Sequence, residues 1–292
     1  MVTQNVLPTA QVAVRGAVQK TFIDATVLSG FMDLQHLQGL IGEYLDTLDP
    51  AARARADALA HATRAYVAGL GPFMPAGVVV RQPIAGPHID ALTANPLFQQ
   101  MFGQRPHQFS YVDLTQLVAL QPWVEPRNDP MPATEPELLD FALPQSWEVA
   151  AEVGFTPPAG PLQILTSNPA LQGINVKMEP GGRIVISAPE HPNLFNVVHF
   201  NGRHYLRNGY HRAVDALVAG RTEFPALVTQ ALFAEDVALP GIGPFNFGYV
   251  ATLARPPLLT DFVSPACMTA RVRERRYGLL VGLDVKPLNI GI

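Results

Sequence analysis

The sequence predicts an α+β (α/β) protein, and three patterns carry that prediction. Apolar residues recur at helical spacing over residues 31–48. Asp49-Pro50, a cap followed by a first-turn proline, then begins an alanine-rich helix over residues 51–70. Residues 197–228 are typical of a strand, a glycine turn, a helix and a second strand. Helices followed by mixed strands and helices around one core are characteristic of this class.

Residues 1–105 are predicted to form a helical N-terminal region. Polar and apolar residues alternate over residues 1–30, for example in Gln11–Arg15, which fits an early strand or an arm that packs on a neighbour. The helix over 51–70 is expected to bury a stripe of Leu59, Tyr66 and Val67. A short helix is predicted over 95–102.

Residues 106–235 are predicted to form the central core. Its first strand spans 109–112, and Asp113 is expected to cap a short helix over 114–120. The proline-rich, acidic stretch 125–144 is predicted to be a surface loop that contains one helical turn. Strands are expected over three later segments, 162–166, 175–178 and 183–187.

Residues 236–292 are predicted to be a C-terminal extension. Strands over 249–253 and 277–285 are too short to stand alone, so this segment is expected to pack on the core. The run Arg271–Arg276 is locally basic.

Composition excludes several classes of protein. The net charge of −4 leaves no general basic field for nucleic acid. The single cysteine, Cys267, precludes an intrachain disulfide and is expected to be an inert structural thiol. Because no apolar run approaches membrane-spanning length, a cytoplasmic protein is expected.

The stretch 199–228 holds the densest set of groups capable of chemistry. Asn208-Gly209 forms a turn that leads into a helix over 212–219, and such a turn points backbone N–H groups at one place. Gly209 would allow close approach of a ligand to the backbone. Arg212 offers a bidentate fork, and His211 can donate a proton near neutral pH. This chemistry suits a phosphate group.

The turn, the helix and the following strand resemble the ParB/sulfiredoxin-like superfamily. The matching residues are Asn208-Gly209-Tyr210-His211-Arg212-Ala213 in the turn and Phe224–Val228 in the closing strand, and Tyr111–Leu117 resembles the first strand and helix. The resemblance covers roughly residues 108–228. It implies a bacterial nucleotide- or phosphate-binding protein, with phosphoryl transfer or nucleotide hydrolysis as its reaction and a nucleotide with magnesium as its cofactor.

That resemblance implies a phosphate pocket formed by Asn208, Gly209, His211 and Arg212, with Arg207 extending a basic rim. His211 and Tyr210 are the candidate catalytic residues. Tyr210 stands where sulfiredoxins carry their catalytic cysteine, and Asn208 and Tyr210 replace a carboxylate and an imidazole of the serine kinases. Both chemistries are therefore disfavoured, and Tyr210 is left to stack on a base, donate its hydroxyl, or pack.

Two other functions stay open from the sequence. The chain fits a non-catalytic scaffold in a multi-protein bacterial or phage system, or a ParB-like DNA-binding protein or nuclease. The expected partner is a phosphorylated small molecule, with a protein partner or a second copy of the chain as alternatives; nucleic acid is disfavoured and no membrane contact is predicted. His199, His204 and His211 lack diagnostic metal-ligand spacing, so no metal is predicted.

Overall fold

A computed structural model describes residues 8–15, 22–75, 78–127, 130–145, 149–155, 162–166, 175–179, 183–189, 193–237, 247–273 and 277–285, together with Phe245. The described helices are α1 (Leu34–Leu45), α2 (Pro50–Ala68), α3 (Pro87–Ala94), α4 (Pro96–Phe102), α5 (Glu135–Ala142), α6 (Tyr210–Val218) and α7 (Phe247–Thr252). Helices and mixed sheets together confirm the α+β class.

The described strands precede, separate and follow these helices. They are β1 (Pro8–Arg15), β2 (Phe22–Val27), β3 (Val80–Pro83), β4 (His107–Asp113), β5 (Val118–Ala119), β6 (Trp123–Val124), β7 (Val149–Phe155), β8 (Leu162–Thr166), β9 (Asn175–Glu179), β10 (Arg183–Pro189), β11 (Asn196–Phe200), β12 (Arg203–Asn208), β13 (Glu223–Gln230), β14 (Met268–Arg273) and β15 (Tyr277–Val285).

The chain divides into two compact units. One consists of Met1–Thr21, Glu148–His191 and Glu274–Ile292, and the other of Phe22–Trp147 and Pro192–Arg273. In the first unit the strands form two sheets, ordered β1-β15-β8 and β7-β10-β9. The sequence-based boundaries at residues 105 and 235 do not coincide with this division, because each unit collects segments that are distant along the chain.

The second unit is built on a six-stranded mixed sheet, ordered β3-β4-β13-β11-β12-β5. β13 pairs antiparallel with β4 and parallel with β11, and β12 pairs parallel with β5. Helix α6 makes the crossover from β12 to β13 and buries Tyr210, Ala213 and Ala216 in the main core. The predicted order of strand, turn, helix and strand over 197–228 is confirmed.

A second sheet, ordered β14-β2-β6, carries α1 and α2. Asp33 and Asp49 cap these two helices through their side chains, as Asp49-Pro50 predicted for α2. The predicted stripe of α2 is wrong for Leu59 and Tyr66, which are 45% and 38% exposed, whereas Val67 is partly buried against the main core. The buried residues of α2 are Ala60 and Thr63.

Three further sequence-based assignments are corrected. Leu114–Gln116 form a single 3-10 turn, after which Val118–Ala119 become strand β5, fully buried beside β12. The strand expected over 249–253 is instead helix α7. The loop over 125–144 contains the two-turn helix α5, which a Thr134–Glu137 capping box begins.

Candidate functional site

The glycine turn before α6 is fixed by the backbone and by the core. Gly209 has φ +104° and ψ 22°, a conformation that residues with a side chain rarely adopt. A Cβ placed on Gly209 would lie 2.5 Å from Cδ2 of Phe195. The close approach predicted for a ligand is therefore made here by a buried aromatic ring of the same chain.

Asn208 anchors the turn to the segment that precedes β11. Its Nδ2 donates to the carbonyl oxygen of Leu194 at 2.9 Å and to Oδ1 of Asn193 at 3.4 Å. These bonds hold Phe195 against the turn. The amide of Asn208 thus links two parts of the chain in this structure.

The hydroxyl of Tyr210 joins three backbone groups. It accepts from the N–H of Leu120 at 2.7 Å and of Gln121 at 3.2 Å, and it donates to the carbonyl of Leu206 at 2.6 Å. The residue is only 5% exposed, and burial raises the pKa of its hydroxyl well above the usual range. A buried phenol with this pKa stays protonated, and its oxygen is held by the start of the loop after β5.

The imidazole of His211 is tied to a loop carbonyl. Its Nδ1–H donates to the carbonyl oxygen of Glu125 at 2.6 Å, which fixes the tautomer. Burial lowers the pKa of His211, so the neutral ring is favoured. The hydrogen bond of the His211 ring therefore links α6 to the segment that follows β6.

The guanidinium of Arg212 caps the C-terminal end of α5. Nη1 donates to the carbonyl oxygens of Phe141 at 2.8 Å and Ala142 at 3.1 Å, and Nη2 donates to Oδ1 of Asn193 at 2.9 Å. A cation at the carbonyl end of a helix complements its dipole. The residue is 9% exposed, and burial lowers its pKa to about 10. Its fork is thus occupied by acceptors of the same chain, two backbone carbonyls and one side-chain amide oxygen.

Arg207 has different neighbours from Arg212. Burial lowers its pKa, and the charge of Arg105 lowers it further, whereas Asp236 raises it. Arg105 and Asp236 themselves form an ion pair at 3.5 Å. The predicted phosphate-binding residues therefore split into the group around Arg212 and this separate charged cluster.

The three histidines do not come together. His199 and His204 form a stacked cross-strand pair with ring centroids 4.5 Å apart, and Nδ1 of His199 contacts Oε1 of Gln230 at 2.8 Å. Burial, aided by His199, lowers the pKa of His204 to about 4. His211 lies instead against Glu125. Within the described ranges, no group of three or more histidine, cysteine or acidic side chains could hold a metal ion.

Asp113, the basic run and Cys267 also have local partners. Asp113 pairs with Arg81 at 2.6 Å, and Glu125 presents its backbone carbonyl to His211. In the basic run, Arg271 pairs with Asp24 and Arg273 with Glu43; Arg275 and Arg276 lie outside the described residues. Cys267 is half-buried, and its thiol donates to backbone carbonyls, as expected for a structural thiol.

An open polar cavity of about 330 Å³ lies between α5 and the β3, β4 and β13 edge of the sheet. Tyr111, Glu135, Arg221 and Glu223 are among its lining residues. Tyr111 donates to Oε1 of Glu135 at 3.0 Å, and burial together with this bond raises its pKa to about 12. None of the predicted site residues lines this cavity. The only sequence signal near it was Tyr111, which lies within the predicted first strand.

Comparisons with protein-family models, with curated proteins and with solved structures find no match for the chain. The resemblance to the ParB/sulfiredoxin-like superfamily stays a prediction. None of the helices that the structure describes has the length and apolar content that a membrane crossing requires.

Proposed function

We propose that the protein is a non-catalytic interaction protein in which the ParB/sulfiredoxin-like turn stabilises the core. The observation that carries this proposal is the bonding of Arg212 to two carbonyls of α5 and to Asn193. A phosphate would have to displace these three acceptors from a side chain that is only 9% exposed. Breaking buried hydrogen bonds of a charged group costs about 1.5–3 kcal/mol each.

The candidate catalytic groups support the same proposal. The hydroxyl of Tyr210 is already shared among three backbone groups, and His211 is held by the carbonyl of Glu125. A general acid or base needs to reach a proton on the substrate by a hydrogen bond. Here the bonds of Tyr210 to Leu120 and Gln121, and of His211 to Glu125, join segments that are far apart in sequence, which is a structural role.

Exposed apolar side chains support a role exerted through surfaces. Leu232 and Phe233 are adjacent after β13 and are 71% and 66% exposed. Contiguous exposed apolar groups mark surfaces that contact other molecules. An interaction protein needs such surfaces, whereas a core that only positions a ligand does not.

Nucleotide or phosphate binding, with magnesium, is the competing proposal and follows from the resemblance. It is favoured by one local feature, the Gly209 turn at the start of α6. A DNA-binding or nuclease role is less favoured, since Arg271 and Arg273 are engaged by acidic side chains.

Calorimetric titration with ATP, ADP and CTP, each with and without magnesium, distinguishes these proposals. The full-length chain is expected to give no heat of binding. Saturable binding that Arg212→Lys abolishes, while Arg221→Lys leaves it unchanged, would establish the nucleotide pocket instead. Arg221 is a suitable control because it follows the opposite end of α6.

A further inference from the structure

Helix α2 has a packed side that accounts for only part of its surface. Ala60 and Thr63 are buried, and the hydroxyl of Ser29 donates to that of Thr63 at 3.0 Å. A Cβ on Gly30 would lie 2.5 Å from Cγ2 of Val67, so the chain approaches this side of the helix closely. Ala52, Arg53, Ala56, Arg64 and Val67 are half-buried, and the other residues of the 19-residue helix are exposed.

A second side of α2 is apolar and exposed. Arg55, Leu59, Ala62, Tyr66 and Gly69 recur at alternating steps of four and three residues, and all five are exposed. We call these five residues the 55–69 face. Leu59 is 45% and Tyr66 is 38% exposed. Steps of four and three are the spacing of a helix-pairing seam.

The composition of the 55–69 face is unusual for a helix side in contact with water. Such sides normally carry charged and polar residues. This face contains no acidic residue, and exposed Ala58 and Ala65 flank it. Small flanking residues permit close helix–helix approach, because interaxial distance depends on the side chains at the contact.

The order of residues on this face is self-complementary in one orientation. A two-fold axis passing between residues 60 and 61 makes two copies of α2 antiparallel and places Leu59 opposite the partner's Ala62. The same axis places Arg55 opposite the partner's Tyr66, where a guanidinium can lie on an aromatic ring. Large side chains then meet small ones, and the one cation meets a ring.

A parallel pairing lacks this complementarity. It would set Arg55 against an identical cation, and it would leave a gap between two copies of Ala62. Like charges placed opposite each other across an interface repel and are destabilising. The order of residues therefore selects the antiparallel arrangement.

We propose that a second copy of this chain docks on the 55–69 face, with the two α2 helices antiparallel. At a rise of ~1.5 Å per residue, the helix provides a contact of under 30 Å in length, so the interface is smaller than the ~1,600 Å² of a standard complex. The dimer is accordingly weak, with a Kd of roughly micromolar order. This inference does not depend on the proposed function, because nucleotide binding at α6 would be compatible with it.

Sedimentation velocity of the full-length chain across micromolar concentrations tests the proposal. We expect the wild-type chain to shift from monomer to dimer as concentration rises. Ala62→Arg brings a second cation towards the partner's Arg55 and should weaken association at least ~10-fold. Ala54→Arg is the matched control, since Ala54 is also exposed on α2 but lies outside the 55–69 face, and it should leave association unchanged.

The orientation is tested by cross-linking single-cysteine chains in which Cys267 is replaced by serine. Leu59→Cys mixed with Ala62→Cys should cross-link more efficiently than Leu59→Cys with itself. The reverse order of efficiency would refute the antiparallel register. A wild-type chain that stays monomeric throughout the concentration range, or a dimer that Ala62→Arg does not weaken, would overturn the proposal; circular dichroism checks that each variant is folded.

Discussion

Replacing Gly209 with alanine tests directly whether the turn serves the core. The added Cβ would lie 2.5 Å from Cδ2 and 3.1 Å from Cε2 of Phe195. Phe195 is fully buried, and its ring centroid lies 4.8 Å from that of Phe224. Because the ring is enclosed, it cannot withdraw without disturbing the packing around β13.

Two physical terms set the expected loss of stability. Holding a non-glycine residue in a left-handed conformation costs ~1–2 kcal/mol. Forcing an extra methyl group into a packed core costs a further ~1–3 kcal/mol. Gly209→Ala should therefore lower the free energy of unfolding by about 2–5 kcal/mol, a large part of the ~5–15 kcal/mol typical of a folded domain.

Gly220→Ala provides the matched control. Gly220 also has a positive φ, +77°, but a Cβ there would meet nothing within 4 Å. Gly220→Ala should lower the free energy of unfolding only by the ~1–2 kcal/mol that the left-handed conformation costs a non-glycine residue. Urea unfolding followed by circular dichroism measures both losses. Adding Phe195→Leu should reduce the additional loss caused by Gly209→Ala and leave that of Gly220→Ala unaltered.

Equal losses for the two glycine variants would refute the packing argument. A Gly209→Ala chain that keeps wild-type stability but loses a measurable affinity for phosphate would also refute the structural role of the turn. That result would show that the glycine makes room for a ligand.

Two further predictions concern residues of the same region. Tyr210→Phe removes the acceptor for the N–H groups of Leu120 and Gln121, and it should lower the free energy of unfolding in urea by ~1–3 kcal/mol. Tyr249→Phe, at a 53% exposed site, should cause no measurable loss of stability. Equal effects of the two substitutions would count against a stabilising role of the buried bonds. The pKa of His204 is lowered in the fold to about 4 from a usual value of 6.5, so the unfolded chain binds this proton first as the pH falls. Stability linked to His204 is present above pH 6.5 and is lost towards pH 4, and His204→Phe should flatten this part of the pH–stability profile; an unchanged profile would contradict the burial argument.

Local signals in the sequence were sufficient to predict those elements whose structure is determined by one short segment. Asp49-Pro50 marks the start of α2, and the Gly209 turn and β13 lie where their residues indicate. Each depends on a cap, a glycine or a strand pattern that acts within a few residues.

The sequence was insufficient to predict elements whose conformation or burial is decided by tertiary packing. The apolar run 117–120 is compatible with a helix or a buried strand, and pairing with β12 selects the strand. Leu59 and Tyr66 satisfy a helical period but lie on the side of α2 that the chain leaves exposed. Periodicity shows that a helix has an apolar side without showing what covers it.

The prediction of the candidate site failed for the same reason, because the partners of its residues are distant in sequence. A Gly-x-His-Arg turn indicates a site for an acceptor, and a phosphate and a backbone carbonyl are both acceptors. The carbonyls that engage Arg212 and His211 lie 70, 71 and 86 residues away along the chain. No local pattern indicates these carbonyls, and only the folded arrangement of α5, α6 and the segment after β6 brings them to the turn.

The free energy of unfolding of Arg212→Met, measured without any ligand, tests the central claim most directly. The substitution removes the donors to Phe141, Ala142 and Asn193, each loss costing ~1–3 kcal/mol, while it relieves the burial of a charge. We expect a net loss of ~2 kcal/mol, with no comparable loss in Arg221→Met. Unchanged or increased stability in Arg212→Met, together with loss of phosphate binding that the wild-type chain possesses, would show that Arg212 is held for a ligand and would contradict the account.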